Sequence, residues 1–140
     1  MTEAAAQALQ GLRVLVVEDT LLLADCLVEA LDEAGCEVVG PAPRLQQALD
    51  LAGRESLHAA LLDVNLAGEF CFPVAELLER KGVPFVFLTG YSDNGAVPQH
   101  FRDRPRLSKP TDAAAVRQAI AAVVGAPAAG RKPSQPNPVP

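Results

Sequence analysis

The chain has 140 residues, 49% of them hydrophobic, with 12 Lys+Arg against 17 Asp+Glu and a formal net charge of −5. That length and apolar content suit one globular domain with its own core, and the acidic balance argues against nonspecific nucleic-acid binding by the whole chain. There is no run of 18 apolar residues, and residues 1–11 carry Glu3 with no basic stretch ahead of an apolar one. The expectation is therefore no membrane span and no secretory leader. Cys26, Cys36 and Cys71 are odd in number and lack CxxC spacing, so they read as reduced, small hydrophobic residues of a cytoplasmic protein. His58 and His100 show no zinc-ligand spacing and read as surface or boundary residues.

Residues 1–10 fit either a loose helical turn or a disordered lead. Residues 13–17, RVLVV, are a β-branched apolar run that predicts a buried strand, followed by Glu18-Asp19. Thr20 is the expected N-cap of a helix on which Leu23, Leu27, Ala30, Leu31 and Ala34 recur at helical spacing, with Gly35 as its stop. Residues 36–39 predict a second strand stopped by Gly40-Pro41. Leu45, Ala48, Leu49 and Ala52 mark a second helix ended by Gly53. Residues 59–62 are a continuous apolar run ending in Asp63, the pattern of a strand covered on both faces. A loop is expected over 65–70, around Gly68. Val74, Leu77 and Leu78 mark a third helix, with Pro73 in its first turn and Gly82 past its end. Residues 84–88, PFVFL, predict another buried strand, ending in Thr89-Gly90. Residues 92–104 are polar and broken by Gly95 and Pro98, so a fourth helix there is short or irregular. A short strand over 106–108 leads to Lys109-Pro110, and Thr111 is the expected cap of a last helix with Val116, Ile120 and Val123 on one face. Residues 126–140 are rich in Pro, Gly, Ser and Ala and predict a disordered tail.

Strands alternating with helices five times imply an α/β fold, a doubly wound five-stranded parallel sheet of flavodoxin-like order 2-1-3-4-5. The boundaries read as an extension over 1–11, a domain over 12–125 and the tail over 126–140. Under that topology Glu18, Asp19, Asp63, Thr89 and Lys109 all close strands at one edge of the sheet, where ligands bind in such folds. Taken singly, each has a plainer reading: a helix cap, a loop aspartate, a strand-end threonine, a solvated lysine. Placed together, three carboxylates repel one another, and a hard divalent cation resolves the conflict. Mg²⁺ is the expected ion, with Asp19 and Asp63 as direct ligands, Glu18 acting through a water, and the Asn65 carbonyl supplying a further oxygen. A carboxylate can also be a nucleophile that forms an acyl phosphate. Asp63 would supply the attacking oxygen, Lys109 would balance phosphoryl charge, and the Thr89 hydroxyl would donate to a phosphoryl oxygen. A cis peptide at Lys109-Pro110 would aim the lysine inward.

The set Glu18-Asp19, Asp63, Thr89 and Lys109-Pro110, in this order and each closing a strand, resembles the response-regulator receiver domain of two-component signalling, over about residues 12–124. The resemblance implies that a phosphohistidine on a histidine kinase or a histidine phosphotransfer protein donates a phosphoryl group to Asp63. It also implies a need for Mg²⁺, self-catalysed phosphorylation and dephosphorylation with no other enzymatic activity, and output through contact with a downstream protein that the sequence does not identify. Two features depart from the commonest receivers. The position three before the lysine, often an aromatic switch, is Arg106, and Phe87-Leu88-Thr89-Gly90-Tyr91 is similar to the FATGUY subgroup, which typically lacks that aromatic. The expectation is that phosphorylation reorders residues 90–104 and that the chain is a monomer, because the fourth-helix face used for dimers is poorly formed. Tyr91 controls water access to the acyl phosphate, contacts a partner, or packs on the loop. Competing readings are a small aspartate-nucleophile phosphohydrolase, a receiver fragment of a hybrid histidine kinase, and a degenerate receiver acting only as a binding module. The phosphohydrolase reading is weakened by Asn65, which stands where those enzymes carry an acid/base aspartate.

Overall fold

The computed structural model describes residues 7–90 and 93–125. Its elements are β1 (Arg13–Val17), α1 (Leu21–Glu33), β2 (Glu37–Ala42), α2 (Leu45–Arg54), β3 (Ala59–Asp63), β4 (Asn65–Leu66), β5 (Glu69–Phe70), α3 (Phe72–Lys81), β6 (Phe85–Thr89), β7 (Arg106–Ser108) and α4 (Ala113–Val124). Two short 3-10 turns, Asn94–Ala96 and Gln99–Phe101, take the place of a helix between β6 and β7. The main sheet has the order β2-β1-β3-β6-β7 with every pairing parallel, the expected 2-1-3-4-5 topology.

The central strands feed two cores by simple alternation. Leu15, Val17, Ala60, Leu62, Phe85 and Phe87 face one side and pack with Ala48, Ala52, Val74 and Leu78 of α2 and α3. Val14, Val16, Ala59, Leu61, Val86 and Leu88 face the other and pack with Leu27, Leu31, Val116 and Ile120 of α1 and α4. Because both faces are covered, β3 and β6 are buried at every position, which is why their sequences read as unbroken apolar runs. Leu9 is also buried in the second core, so ordered packing begins ahead of β1.

The irregular segment before β7 is anchored by aromatic packing. Phe101 is fully buried, with ring centroids 5.7 Å from Phe85, 5.8 Å from Phe87 and 6.4 Å from Phe72. Arg104 lies over the Phe85 and Phe101 rings and forms an ion pair with Glu79 of α3.

Several local expectations are corrected. β2 does not stop at Gly40-Pro41 but runs through a cis Gly40–Pro41 bond to Ala42. Gly40 is required there: its φ is 101°, and a Cβ would lie 2.8 Å from the Val16 carbonyl oxygen. α2 runs one residue past Gly53 and is capped by Glu55. The segment over 65–70 is a hairpin rather than a loop, with β4 and β5 paired antiparallel around Ala67-Gly68. Both turn residues have positive φ, 54° and 96°, the combination of a type I′ turn. Neither expected threonine caps its helix. Thr20 sits at the N-cap of α1 without a side-chain bond, and the α4 cap is Asp112, whose carboxylate accepts from Ala115 N at 2.8 Å. Cys36 and Cys71 are buried as expected, whereas Cys26 is exposed. The Tyr91 expectation and the predicted tail over 126–140 lie outside the described residues.

Candidate functional site

The carboxyl edge of the sheet gathers the expected residues because each follows or ends a central strand. Asp63 ends β3, Thr89 ends β6, Glu18 and Asp19 follow β1, and Lys109 directly follows β7 and is joined to Pro110 by a cis bond. Asp63, Glu18 and Thr89 are each 1% exposed, the buried polar residues of a core otherwise apolar. Carboxylate oxygens of Glu18, Asp19 and Asp63 lie within 4.8 Å of one another. Lys109 Nζ stands 2.9 Å from Asp63 Oδ2 and 3.3 Å from Glu18 Oε1. Those two buried oxygens have no aligned hydrogen bond, so the ammonium is their counter-charge.

The other oxygens are held by the local backbone. Glu18 Oε2 accepts from Thr20 N at 3.1 Å, which explains why the Thr20 hydroxyl is not needed to satisfy that turn. Asp63 Oδ1 accepts from Asn65 N at 3.2 Å, and Asn65 Oδ1 accepts from Gly68 N at 2.8 Å, tying the hairpin to the acid it follows. The Thr89 hydroxyl donates to the Leu107 carbonyl at 3.4 Å, a long and weak bond.

Burial is the largest influence on Asp63. It pushes the carboxyl up from 3.8 to about 8, reinforced by Glu18 and opposed by Lys109. Burial also penalises charge on Asp19, but hydrogen bonds from Asp63 and Glu18 outweigh it and hold Asp19 below its usual value. Lys109 is driven down by burial and up, more strongly, by Asp63 and Glu18 together, so its pKa is raised. The cluster thus pushes the Asp63 carboxyl up and the Asp19 carboxyl down. Fully ionised, it sets three carboxylates against one ammonium. Three carboxylates facing a single ammonium are hard oxygen donors in excess of positive charge, a set that fits a divalent ion such as Mg²⁺.

One nearby acid escaped the sequence reading. Asp93 Oδ2 accepts from the Gly90 amide at 2.7 Å. It reaches back three residues, and nothing in the residue pattern marks that contact.

A doubly wound sheet with an acidic, lysine-bearing cleft at its carboxyl edge places its charged groups where open α/β folds bind ligands. The model of the response regulator receiver domain matches residues 14–121, and the chain belongs to that family, whose members work in two-component signal transduction. The transcriptional regulatory protein PdtaR of Mycobacterium tuberculosis is 34% identical over 86 residues, covering 61% of this chain and 42% of that protein. The sensory transduction protein LytT of Bacillus subtilis is 30% identical over 112 residues, covering 78% and 46%. The chain therefore spans less than half the length of these curated relatives. The solution structure of SdrG from Sphingomonas melonis Fr1 has 40% sequence identity and a TM-score of 0.73, covering 82% of this chain and 98% of that one. The receiver protein of Sinorhizobium medicae WSM419, 19% identical with a TM-score of 0.70 over 84% and 98% of the two chains, shares the fold. Among the described residues, no helix is long and apolar enough to cross a membrane.

Proposed function

We propose that the chain is the phosphoacceptor of a two-component or phosphorelay system and that Asp63 takes the phosphoryl group. The observation that carries this reading is the meeting of Glu18, Asp19 and Asp63 within 4.8 Å, with the Lys109 ammonium 2.9 Å from the Asp63 oxygen. An Asp63 oxygen attacks phosphorus, and the P–N bond to the donor's imidazole breaks with its electron pair left on nitrogen. The product is the Asp63 acyl phosphate. Asp19 and Asp63 would hold Mg²⁺ directly, Glu18 through a water, and the Asn65 carbonyl would add an oxygen. When bound, the ion supplies positive charge that keeps Asp63 ionised and neutralises phosphoryl oxygens. Lys109 pairs with a phosphoryl oxygen, and the Thr89 hydroxyl leaves the weak Leu107 contact to donate to another.

A histidine kinase or histidine phosphotransfer protein is the donor in this reading. The neighbouring surface supports a protein donor: Leu21 and Leu22, directly after Asp19 and Thr20, are 74% and 75% exposed and place apolar surface at the rim of the cleft. The site favours acceptance over phosphatase turnover, because Asn65 cannot serve as an acid/base. Acetyl phosphate with Mg²⁺, followed by intact mass, tests the proposal. The wild-type chain gains one phosphoryl mass, and Asp63→Asn, or the wild type in a chelator, gains none. Equal labelling of Asp63→Asn would show that the acceptor lies elsewhere.

A further inference from the structure

Gly90 follows Thr89 at the end of β6, one strand over from Asp63, whose register partner is Leu88. Its amide is the first backbone N–H after β6 at this edge. The Asp93 carboxylate occupies it at 2.7 Å, and Asp93 N returns a bond to the Gly90 carbonyl at 3.2 Å. The carboxylate is seated tightly, since a Cβ on Gly90 would lie 3.0 Å from Asp93 Oδ2. Asp93 is half-buried, makes no ion pair among the described residues, and begins the 3-10 turn by accepting from Ala96 N at 3.0 Å. Its charge also reaches the acceptor's surroundings. The buried Cys71 thiol is pushed up first by burial and then by the charge of Asp63, with a further contribution from Asp93.

We propose that Asp93 is a positioning residue that holds the Gly90 amide in the unphosphorylated chain and is displaced when a phosphoryl group arrives on Asp63. The inference rests on the acceptor role of Asp63. Backbone amides at a turn are natural donors to phosphoryl oxygens, and a carboxylate on the same N–H competes for it and repels the incoming charge. Displacement frees the side chain of the residue whose backbone carbonyl opens the Asn94–Ala96 turn. It gives this chain a means of coupling the site to the segment after β6, with Arg106 standing where an aromatic switch is common. The rest of that segment is fixed by Phe101 and Arg104, so the change is confined to the stretch nearest the site.

The test follows the phosphorylation time course of the full chain with acetyl phosphate and Mg²⁺ by intact mass, for the wild type, Asp93→Asn and Asp93→Ala. Beryllofluoride affinity, as a phosphoryl mimic, is measured alongside. Both variants are expected to label on the order of fivefold faster and to bind beryllofluoride tighter by a similar factor, because one like charge is removed. A residue with only a structural role would slow labelling or leave the affinity unchanged. Wild type labelled at Asp63, with variants equal to it or slower and no tighter for beryllofluoride, overturns the role of Asp93 and leaves the acceptor standing. A wild type that neither labels nor binds beryllofluoride removes the acceptor reading itself and this inference with it.

Discussion

Asp63 is an acid buried next to another acid, and its proton uptake should be visible in stability. Its carboxyl sits near 3.8 in the unfolded chain and is pushed up to about 8 when folded. Between those values the folded chain holds a proton that the unfolded chain has lost. Without a divalent ion, this contribution is complete below the lower value, declines as pH rises, and is gone above the upper one. Urea unfolding in chelator should show the wild type losing stability relative to Asp63→Asn between about pH 5 and about pH 8. A constant difference across that range would refute the account. Mg²⁺ competes with the same proton, so millimolar Mg²⁺ should raise the thermal midpoint, and more so at the alkaline end. No rise would leave the cation site without support. At this scale the sequence marked Glu18, Asp19, Asp63 and Thr89, since each lies where an apolar run stops, and Lys109, which follows a short predicted strand and precedes Pro110. It was silent about Asp93, whose partner is a backbone amide three residues back, and about the Thr89 hydroxyl being turned to Leu107.

The elements where expectation and structure part are those decided by a local contest for backbone groups. At the start of α4, Asp112 rather than Thr111 supplies the cap, with its carboxylate 2.8 Å from Ala115 N. Asp112→Ala is expected to cost about 1 kcal/mol in thermal or denaturant unfolding, while Thr111→Ala stays within a few tenths. The reverse ranking would restore the threonine cap. The β4–β5 hairpin was hidden because its turn places an alanine, Ala67, at φ 54°, where sequence signals look for Asn or Gly. Ala67→Asn should stabilise the chain by up to about 1 kcal/mol by relieving that conformation. Destabilisation would indicate that residue 67 does not adopt it. The strand and helix cores were readable because their periodicity reports burial directly. The extension of β2 was not, because Gly40-Pro41 is normally punctuation and here the chain stays paired through it.

Across the whole molecule, the sheet separates two cores and leaves its carboxyl edge as the place where chemistry gathers. The topology was legible because five predicted strands alternated with helical patterns, and right-handed crossovers leave few arrangements. The irregular stretch before β7 was legible as a broken helix, though not its anchoring, which depends on aromatic partners far away in sequence. Phe101→Ala is expected to cost about 3–5 kcal/mol, as for other buried aromatics, and to loosen that stretch in amide exchange. A loss below about 1 kcal/mol would mean that the ring is not a core residue. This anchoring narrows the expected reordering of residues 90–104: a phosphoryl mimic should change exchange near Asn94–Ala96 and leave Gln99–Phe101 protected. The most direct test of the central claim, that this cleft accepts phosphorus on one carboxylate, is borohydride reduction of the acetyl-phosphate-treated chain followed by peptide mass mapping. The account predicts a single reduced side chain at position 63, formed only with Mg²⁺ present. Reduction at any other acid, or at none, would contradict it.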